Sequence, residues 1–277
     1  MSCEGCPNEG NCNKDAASCQ IVTNPKNHIA KIVAVMSGKG GVGKSTMTVM
    51  LAKSLAKQGK KVGIMDADIT GPSIPRLMDA QNEHAMGTAE NEILPIVVDG
   101  IKLISLNFMM ETESTPVIWR GPIIGNVVKQ FYTDVLWGNL DVLLVDMPPG
   151  TGDVALTVMQ SLPVSGVIMV STPQPMVSMI VAKAVHMCEK MNIPVLGVIE
   201  NMAYLECPHC HEKINFYNDE ELDAFFDDTK IKCYGTLPMV DLIRDIHAYD
   251  TYNLEQQEKT LQFIDDIADQ VVQDLNQ

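Results

Sequence analysis

The stretch Gly38-Lys39-Gly40-Gly41-Val42-Gly43-Lys44-Ser45-Thr46 has the residue types and spacing of a phosphate cradle. Glycines let successive backbone N–H groups turn inward around an anion. Lys44 can reach the β- and γ-phosphates of a nucleotide, and Ser45 can ligate Mg²⁺. A match to G-x-x-x-x-G-K-[ST] is weak in isolation. Here it lies between an apolar, β-branched run, Lys31 to Ser37, and a helical run, Lys44 to Gln58, closed by Gly59. In that setting the pattern predicts a nucleoside triphosphate site. Lys39 is a second lysine inside the loop; taken alone it reads as a solvated loop residue.

Two further clusters suit the same chemistry. Asp141 to Val145 is an apolar run ending in Asp146, followed by Met147-Pro148-Pro149-Gly150. This places a carboxylate at the C-terminal edge of a sheet, where Mg²⁺ beside a phosphate loop would sit. The Pro-Pro-Gly turn can carry a backbone amide toward a γ-phosphate and move when that phosphate leaves. The second run, Lys61 to Met65, leads into Asp66-Ala67-Asp68. Asp66 is a candidate Mg²⁺ ligand and Asp68 a candidate for positioning the attacking water. Asp and Gly also favour plain turns, so this pair gains its meaning from the phosphate loop.

The eight cysteines are clustered: Cys3, Cys6, Cys12 and Cys19 near the start, then Cys207-Pro208-His209-Cys210, with Cys188 and Cys233 apart. Clustered thiols in a reducing compartment indicate metal or redox chemistry rather than disulfides. Cys207 and Cys210 fit half of the ligand set of a cubane iron–sulfur cluster, completed by a symmetric second copy. They also fit a zinc site with His209 or His211, or a redox dithiol, although no amphipathic helix follows. Attachment of a c-type haem suits a chain without an export signal poorly. Cys188 falls among apolar helical positions and reads as core; Cys233 carries no assignment.

The elements that must position these residues alternate. Strands are expected at Lys31–Ser37, Lys61–Met65, Ile101–Leu106, Asp141–Val145, Gly166–Val170 and Pro194–Ile199, and helices at Lys44–Gln58, Pro122–Leu136, Val154–Leu162, Val177–Met191 and Glu255–Leu275. Continuous apolar strands alternating with helices predict an α/β fold, a mostly parallel sheet with helices on both faces. Leu261, Ile264, Ile267, Ala268 and Val271 form the apolar stripe of the last helix. Residues 1–27, polar and cysteine-rich, read as an N-terminal segment and candidate cluster-binding tail, and residues 28–277 as one ATPase-type domain. Residues 79 to 100 show no clear pattern.

Net charge is −15 in 277 residues, with no basic stripe, which disfavours nucleic acid and anionic membranes as partners. No apolar run reaches the ~18–20 residues of a membrane span. The first residues lack a basic region and an apolar segment, so a cytoplasmic location is expected.

With its extra Lys39, the phosphate loop resembles the deviant Walker A of the MinD, ParA and nitrogenase iron protein superfamily. That resemblance implies that Lys39 reaches the nucleotide of a partner subunit, like an arginine finger supplied in trans. A narrower match follows from Asp66 to Ser73, Val117 to Pro122, Asp146 to Asp153, Thr172 to Gln174, and Glu200-Asn201-Met202 before Cys207 and Cys210. These blocks, between about Ile29 and Asn253, are similar to the Mrp family of iron–sulfur carrier P-loop ATPases, which includes bacterial ApbC and eukaryotic cytosolic scaffolds. The resemblance implies a homodimer with ATP and Mg²⁺, a [4Fe–4S] cluster bridged by Cys207 and Cys210 of both copies, and apo iron–sulfur proteins as recipients. It also implies that Asn201 contacts the adenine. Cys3, Cys6 and Cys12 resemble the later part of an N-terminal ferredoxin-like motif, with Cys19 offered as fourth ligand of a second cluster. A MinD- or ParA-like switch, or a zinc-stabilised one, is the alternative function.

Overall fold

A computed structural model describes residues 24–69, 71–110, 121–174, 177–207, 209–215, 226, 228–239 and 254–276. Cys3, Cys6, Cys12, Cys19 and most of the Val117 to Pro122 block lie outside the described residues.

The chain follows the alternation read from its sequence. Strand β1 (His28–Ser37) leads through the phosphate loop into helix α1 (Lys44–Lys57), then β2 (Val62–Asp66) and the short α2 (Ile74–Leu77). After β3 (Ile96–Val98) and β4 (Ile101–Ile104) come α3 (Gly121–Thr133), β5 (Asn139–Asp146), α4 (Asp153–Ser161), β6 (Gly166–Ser171) and α5 (Val177–Lys190). The chain then passes through β7 (Val195–Glu206), β8 (Lys213–Asn215) and β9 (Cys233–Pro238), and ends in α6 (Leu254–Leu275).

Nine strands form one sheet in the order β3-β4-β2-β5-β1-β6-β7-β8, with β9 also paired to β7. The pairs β1–β5, β1–β6, β2–β4, β2–β5, β6–β7 and β7–β9 are parallel. Only β3–β4 and β7–β8 run antiparallel among the described strands.

Successive residues of a strand face opposite sides, and the two cores show it. In β1, Val33 and Val35 join the layer under α1 and α6, while Ile32, Ala34 and Met36 join the layer under α3, α4 and α5. In β5, Val142 and Leu144 divide from Leu143 and Val145 in the same way. Strands buried on both faces explain why these runs read as continuously apolar.

Three expectations need correction. The apolar stripe of α6 does not include Leu261, which is 46% exposed; Ile264, Ile267, Ala268, Val271 and Leu275 are the buried residues, and Gln257 and Thr260 extend their line toward the helix start. A period of 3.6 carries the stripe through position 260, and Leu261 falls just outside it. The strand expected to end at Leu106 stops at Ile104, and Leu106–Met109 turns as a 3-10 helix. The strand expected to end at Ile199 continues to Glu206. Cys188 is core as read: it is fully buried, and burial pushes its thiol pKa up to about 11.

Candidate functional site

The cradle forms where β1 ends and α1 begins. Gly41 and Gly43 take φ of 79° and 81°, a left-handed backbone that side-chain-bearing residues rarely adopt, and Gly43 is the residue that starts α1. At Gly40 and Gly41 a Cβ would meet nothing within 4 Å, so the space in front of the loop is open. A helix N-terminus with unpaired N–H groups facing that space attracts anions. The resulting cavity of about 300 Å³ is lined by residues that include Gly40, Gly41, Gly43, Lys44, Ser45, Thr46, Asp68 and Pro149.

Behind it lies Asp146, fully buried at the end of β5. Its Oδ2 accepts from Ser45 Oγ at 2.6 Å and pairs with Lys44 Nζ at 2.7 Å, while Oδ1 accepts from Thr48 Oγ1 at 2.8 Å. Asp66 stands opposite Asp146 in the β2–β5 register and is also fully buried. It accepts from Ser105 Oγ at 3.0 Å and from the Asp68 N–H at 3.2 Å. Burial, and then the neighbouring Asp146, push the Asp66 carboxyl well above the usual carboxylate range. Two carboxyl groups this close resist carrying charge together, and Lys44 offsets part of that repulsion.

The Pro-Pro-Gly turn docks on the cradle, with the Gly150 N–H donating to the Ser37 carbonyl at 2.8 Å and Gly150 at φ 86°. Lys39 does not line the cavity; its Nζ donates to Gln174 Oε1 beyond the end of β6. Asn201 is fully buried, and its Nδ2 donates to the Val42 carbonyl at 2.9 Å, tying β7 to the phosphate loop. Its Oδ1 is buried without a hydrogen-bond partner among the described residues. Next to it Met202 has φ 53°, and the β7–β9 register shifts between Glu200 and Tyr204.

Six residues beyond Asn201, β7 delivers Cys207 to the tip of a hairpin with β8, which pairs Tyr204–Glu206 with Lys213–Asn215. The Cys207 N–H donates to Glu212 O at 3.0 Å, and the His211 N–H to Cys207 O at 2.9 Å, with His211 at φ 59°. These two bonds close a tight knuckle between Cys207 and Glu212. Backbone N–H groups of Cys210 and then His209 face the Cys207 sulfur and lower its thiol pKa, favouring the thiolate that binds metal. Cys210 is exposed and Cys207 half-buried. His211 Nδ1 is engaged by Glu206 Oε1 at 2.8 Å.

The structure thus gathers Gly40, Gly41, Gly43, Lys44, Ser45, Thr46 and Asp68 around one cavity, with Asp66 and Asp146 buried at the ends of the strands behind it. Gly38 and Val42 belong to the same loop. Cys207 and Cys210 lie apart, on the hairpin beyond β7. Two buried hydroxyls were missed from sequence. Thr48 lies one helical turn after Lys44, a spacing that signals a shared face. Ser105 follows β4 with no such signal.

A parallel sheet with a phosphate loop at its carboxyl edge, a strand-end aspartate beside the loop's serine and an extra loop lysine define a P-loop NTPase of the MinD/ParA type. The chain belongs to the ParA family, described as NUBPL iron-transfer P-loop NTPase, whose model matches residues 28–272. It is 46% identical over 253 residues to an iron–sulfur cluster carrier protein of Clostridium perfringens, covering 86% of this chain and 88% of that one. Among solved structures it resembles a nucleotide-binding protein of Archaeoglobus fulgidus in complex with ADP, at 39% identity and a TM-score of 0.70, over 83% of this chain and 88% of that chain. The cell division ATPase MinD of Pyrococcus furiosus shares the fold, with a TM-score of 0.61 at 17% identity, over 88% of this chain and 99% of that chain.

Proposed function

We propose that this chain binds and hydrolyses ATP as a homodimer and carries a [4Fe–4S] cluster, held between the Cys207 and Cys210 pairs of two copies, to apo iron–sulfur proteins. The observation that carries this reading is the cysteine knuckle. It follows directly on the strand whose Asn201 clasps the phosphate loop.

The nucleotide fits the residues present. The open space at Gly40 and Gly41 admits phosphates, and the orphaned Asn201 Oδ1 offers an acceptor for an adenine amino group. Ser45, Asp146 and Asp66 supply the hard oxygen donors that Mg²⁺ prefers. When bound there, the ion neutralises charge developing on the phosphates. Lys44 would contact the terminal phosphates, exchanging part of its pairing with Asp146 for them. Asp68, which lines the cavity, would orient the attacking water. Lys39, bonded to Gln174 within one copy, would turn toward the nucleotide of the other.

Two thiolates are half of a cubane's ligand set, and an isologous interface supplies two more. Among the described residues no group of three or more His, Cys, Asp or Glu side chains could hold a metal ion. Cys3, Cys6, Cys12 and Cys19 are read as the ligands of a second, N-terminal cluster. Among the described residues no helix is long and apolar enough to cross a membrane, and free thiols suit a reducing compartment such as the cytoplasm.

The test is anaerobic reconstitution with iron and sulfide, followed by incubation with an apo [4Fe–4S] dehydratase whose activity reports loading. Activity should recover with the reconstituted chain and fail with Cys207→Ser plus Cys210→Ser. Recovery with that double variant, in a background where Cys3, Cys6, Cys12 and Cys19 are also serine, would end the carrier reading.

A further inference from the structure

Away from both sites, the surface between α4 and α5 opens into a groove of about 1190 Å³. Its floor is apolar, with Leu156, Met159 and Leu162 on one side and Met187 and Ile193 on the other. Its rim is basic: Lys183, His186 and Lys190 lie exposed along one edge of α5, continuing the line of the exposed Met179. Spacings of four, three and four residues put these side chains on one helical face.

The charge of this groove runs against the rest of the chain. Among the described residues no Asp or Glu lines it, although the chain holds 35 of them against 20 Lys and Arg. Ion pairs among the described residues use other cations, leaving Lys183 and Lys190 open to an incoming carboxylate. A local basic edge in an acidic field selects for acidic partners and speeds their arrival. Three methionines, Met159, Met187 and Met191, line the groove; unbranched and polarisable, they adapt to apolar side chains of varied shape. An open trough of this volume exceeds what a small ligand fills, and a phosphate backbone would meet a −15 chain on either side.

We propose that the α4–α5 groove docks an acidic amphipathic helix of a protein partner, its apolar side on the methionine floor and its carboxylates on Lys183 and Lys190. Helix-in-groove recognition needs this combination of an apolar floor and a charged rim. The groove begins at Thr151, directly after Gly150, whose N–H is bonded to Ser37 beside the phosphate loop. A docked partner would therefore rest against the turn most exposed to the state of the nucleotide. The proposal stands apart from the cluster reading, and its test contains no iron.

The experiment uses the full chain and a fluorescein-labelled peptide of about five helical turns, with Leu and Met at i, i+3, i+4 and i+7 and Glu elsewhere. Fluorescence anisotropy should show saturable binding, weakened about tenfold or more by Lys183→Glu plus Lys190→Glu. ATP turnover should stay unchanged in that variant, since neither lysine lines the phosphate cavity. A peptide with Lys in place of Glu should not bind. If the charge reversal unfolds the chain, Met187→Gln should still weaken binding several-fold by making the floor polar. Absent saturable binding, equal binding of the Lys peptide, or binding indifferent to these variants would overturn the proposal. So would a variant that alters sedimentation of the chain alone without altering peptide binding, since the groove would then belong to a second copy.

Discussion

Asp146 is fully buried and is met by Lys44, Ser45 and Thr48, whereas Cys210 stands exposed on a hairpin whose strand β8 is three residues long. The phosphate site is assembled from the ends of β1, β2 and β5 at the centre of the sheet. The cysteine site is carried by two short strand ends at its margin. A group held by three donors inside a sheet is pre-organised within one chain. A pair of thiols on an exposed knuckle has its backbone prepared but supplies only two ligands, and in the function proposed above a second copy supplies the rest. The two sites are tied together by Asn201, which clasps the phosphate loop from β7, the strand that ends one residue before Cys207.

This contrast predicts that damage at one site should spare the other's first function. The largest effect belongs to the cysteines. In the full chain with Cys3, Cys6, Cys12 and Cys19 replaced by serine, adding Cys207→Ser and Cys210→Ser should abolish bound iron after anaerobic reconstitution, while calorimetry should find ATP affinity unchanged. Next comes Lys44→Ala. It removes a charge-assisted phosphate contact and leaves Asp146 with only hydroxyl donors, so ATP affinity should fall about 100-fold, roughly 3 kcal/mol. Iron content should hold, and a parallel loss of iron would dissolve the separation between the sites.

Asn201→Ala sharpens the link between them. It releases the Val42 carbonyl and removes the buried Oδ1 acceptor together, so ATP should bind about tenfold more weakly, on the order of 1–1.5 kcal/mol, with preference for ATP over GTP reduced if that acceptor meets the adenine. Equal loss for both nucleotides would mean that the side chain only braces the loop. Lys39→Ala should lower ATP turnover while leaving binding nearly intact; unchanged turnover would remove the lysine from the reaction.

The smallest effect is a shift in pH. Backbone N–H groups depress the Cys207 thiol pKa, so its thiolate persists to lower pH than that of an ordinary cysteine. Peptide-level mass spectrometry should find Cys207 alkylated by iodoacetamide several-fold faster than the thiol of a free model peptide near neutral pH, with the advantage shrinking as pH rises and both thiols ionise. Cys188, with its thiol pKa at about 11, should stay unmodified throughout. Equal rates for Cys207 and the model peptide near neutrality would deny the knuckle its electrostatic preparation.

The sequence made the central site legible because its chemistry is local. Gly38 to Thr46 is one contiguous loop, and β1, β2, β5 and β6 are buried on both faces, which writes unbroken apolar runs. The margin was less legible. β3, β8 and β9 are short and partly exposed, so their alternation is weak, and β9 begins at Cys233, which no spacing marked. Within β7 a left-handed Met202 and a register shift interrupt the pattern, which hid the stretch that carries Asn201 toward Cys207. The partners of buried polar groups, Ser105 on Asp66 and Val42 on Asn201, are separated by 39 and 159 residues. Contacts at such distances leave no periodic trace.

The central claim is that the knuckle is half a site. Native mass spectrometry of the anaerobically reconstituted chain, with the four N-terminal cysteines replaced by serine, tests it most directly. The account predicts a dimer carrying one [4Fe–4S] cluster, reduced to cluster-free chains when Cys207 and Cys210 are also serine. A monomer that retains a full cluster would contradict it.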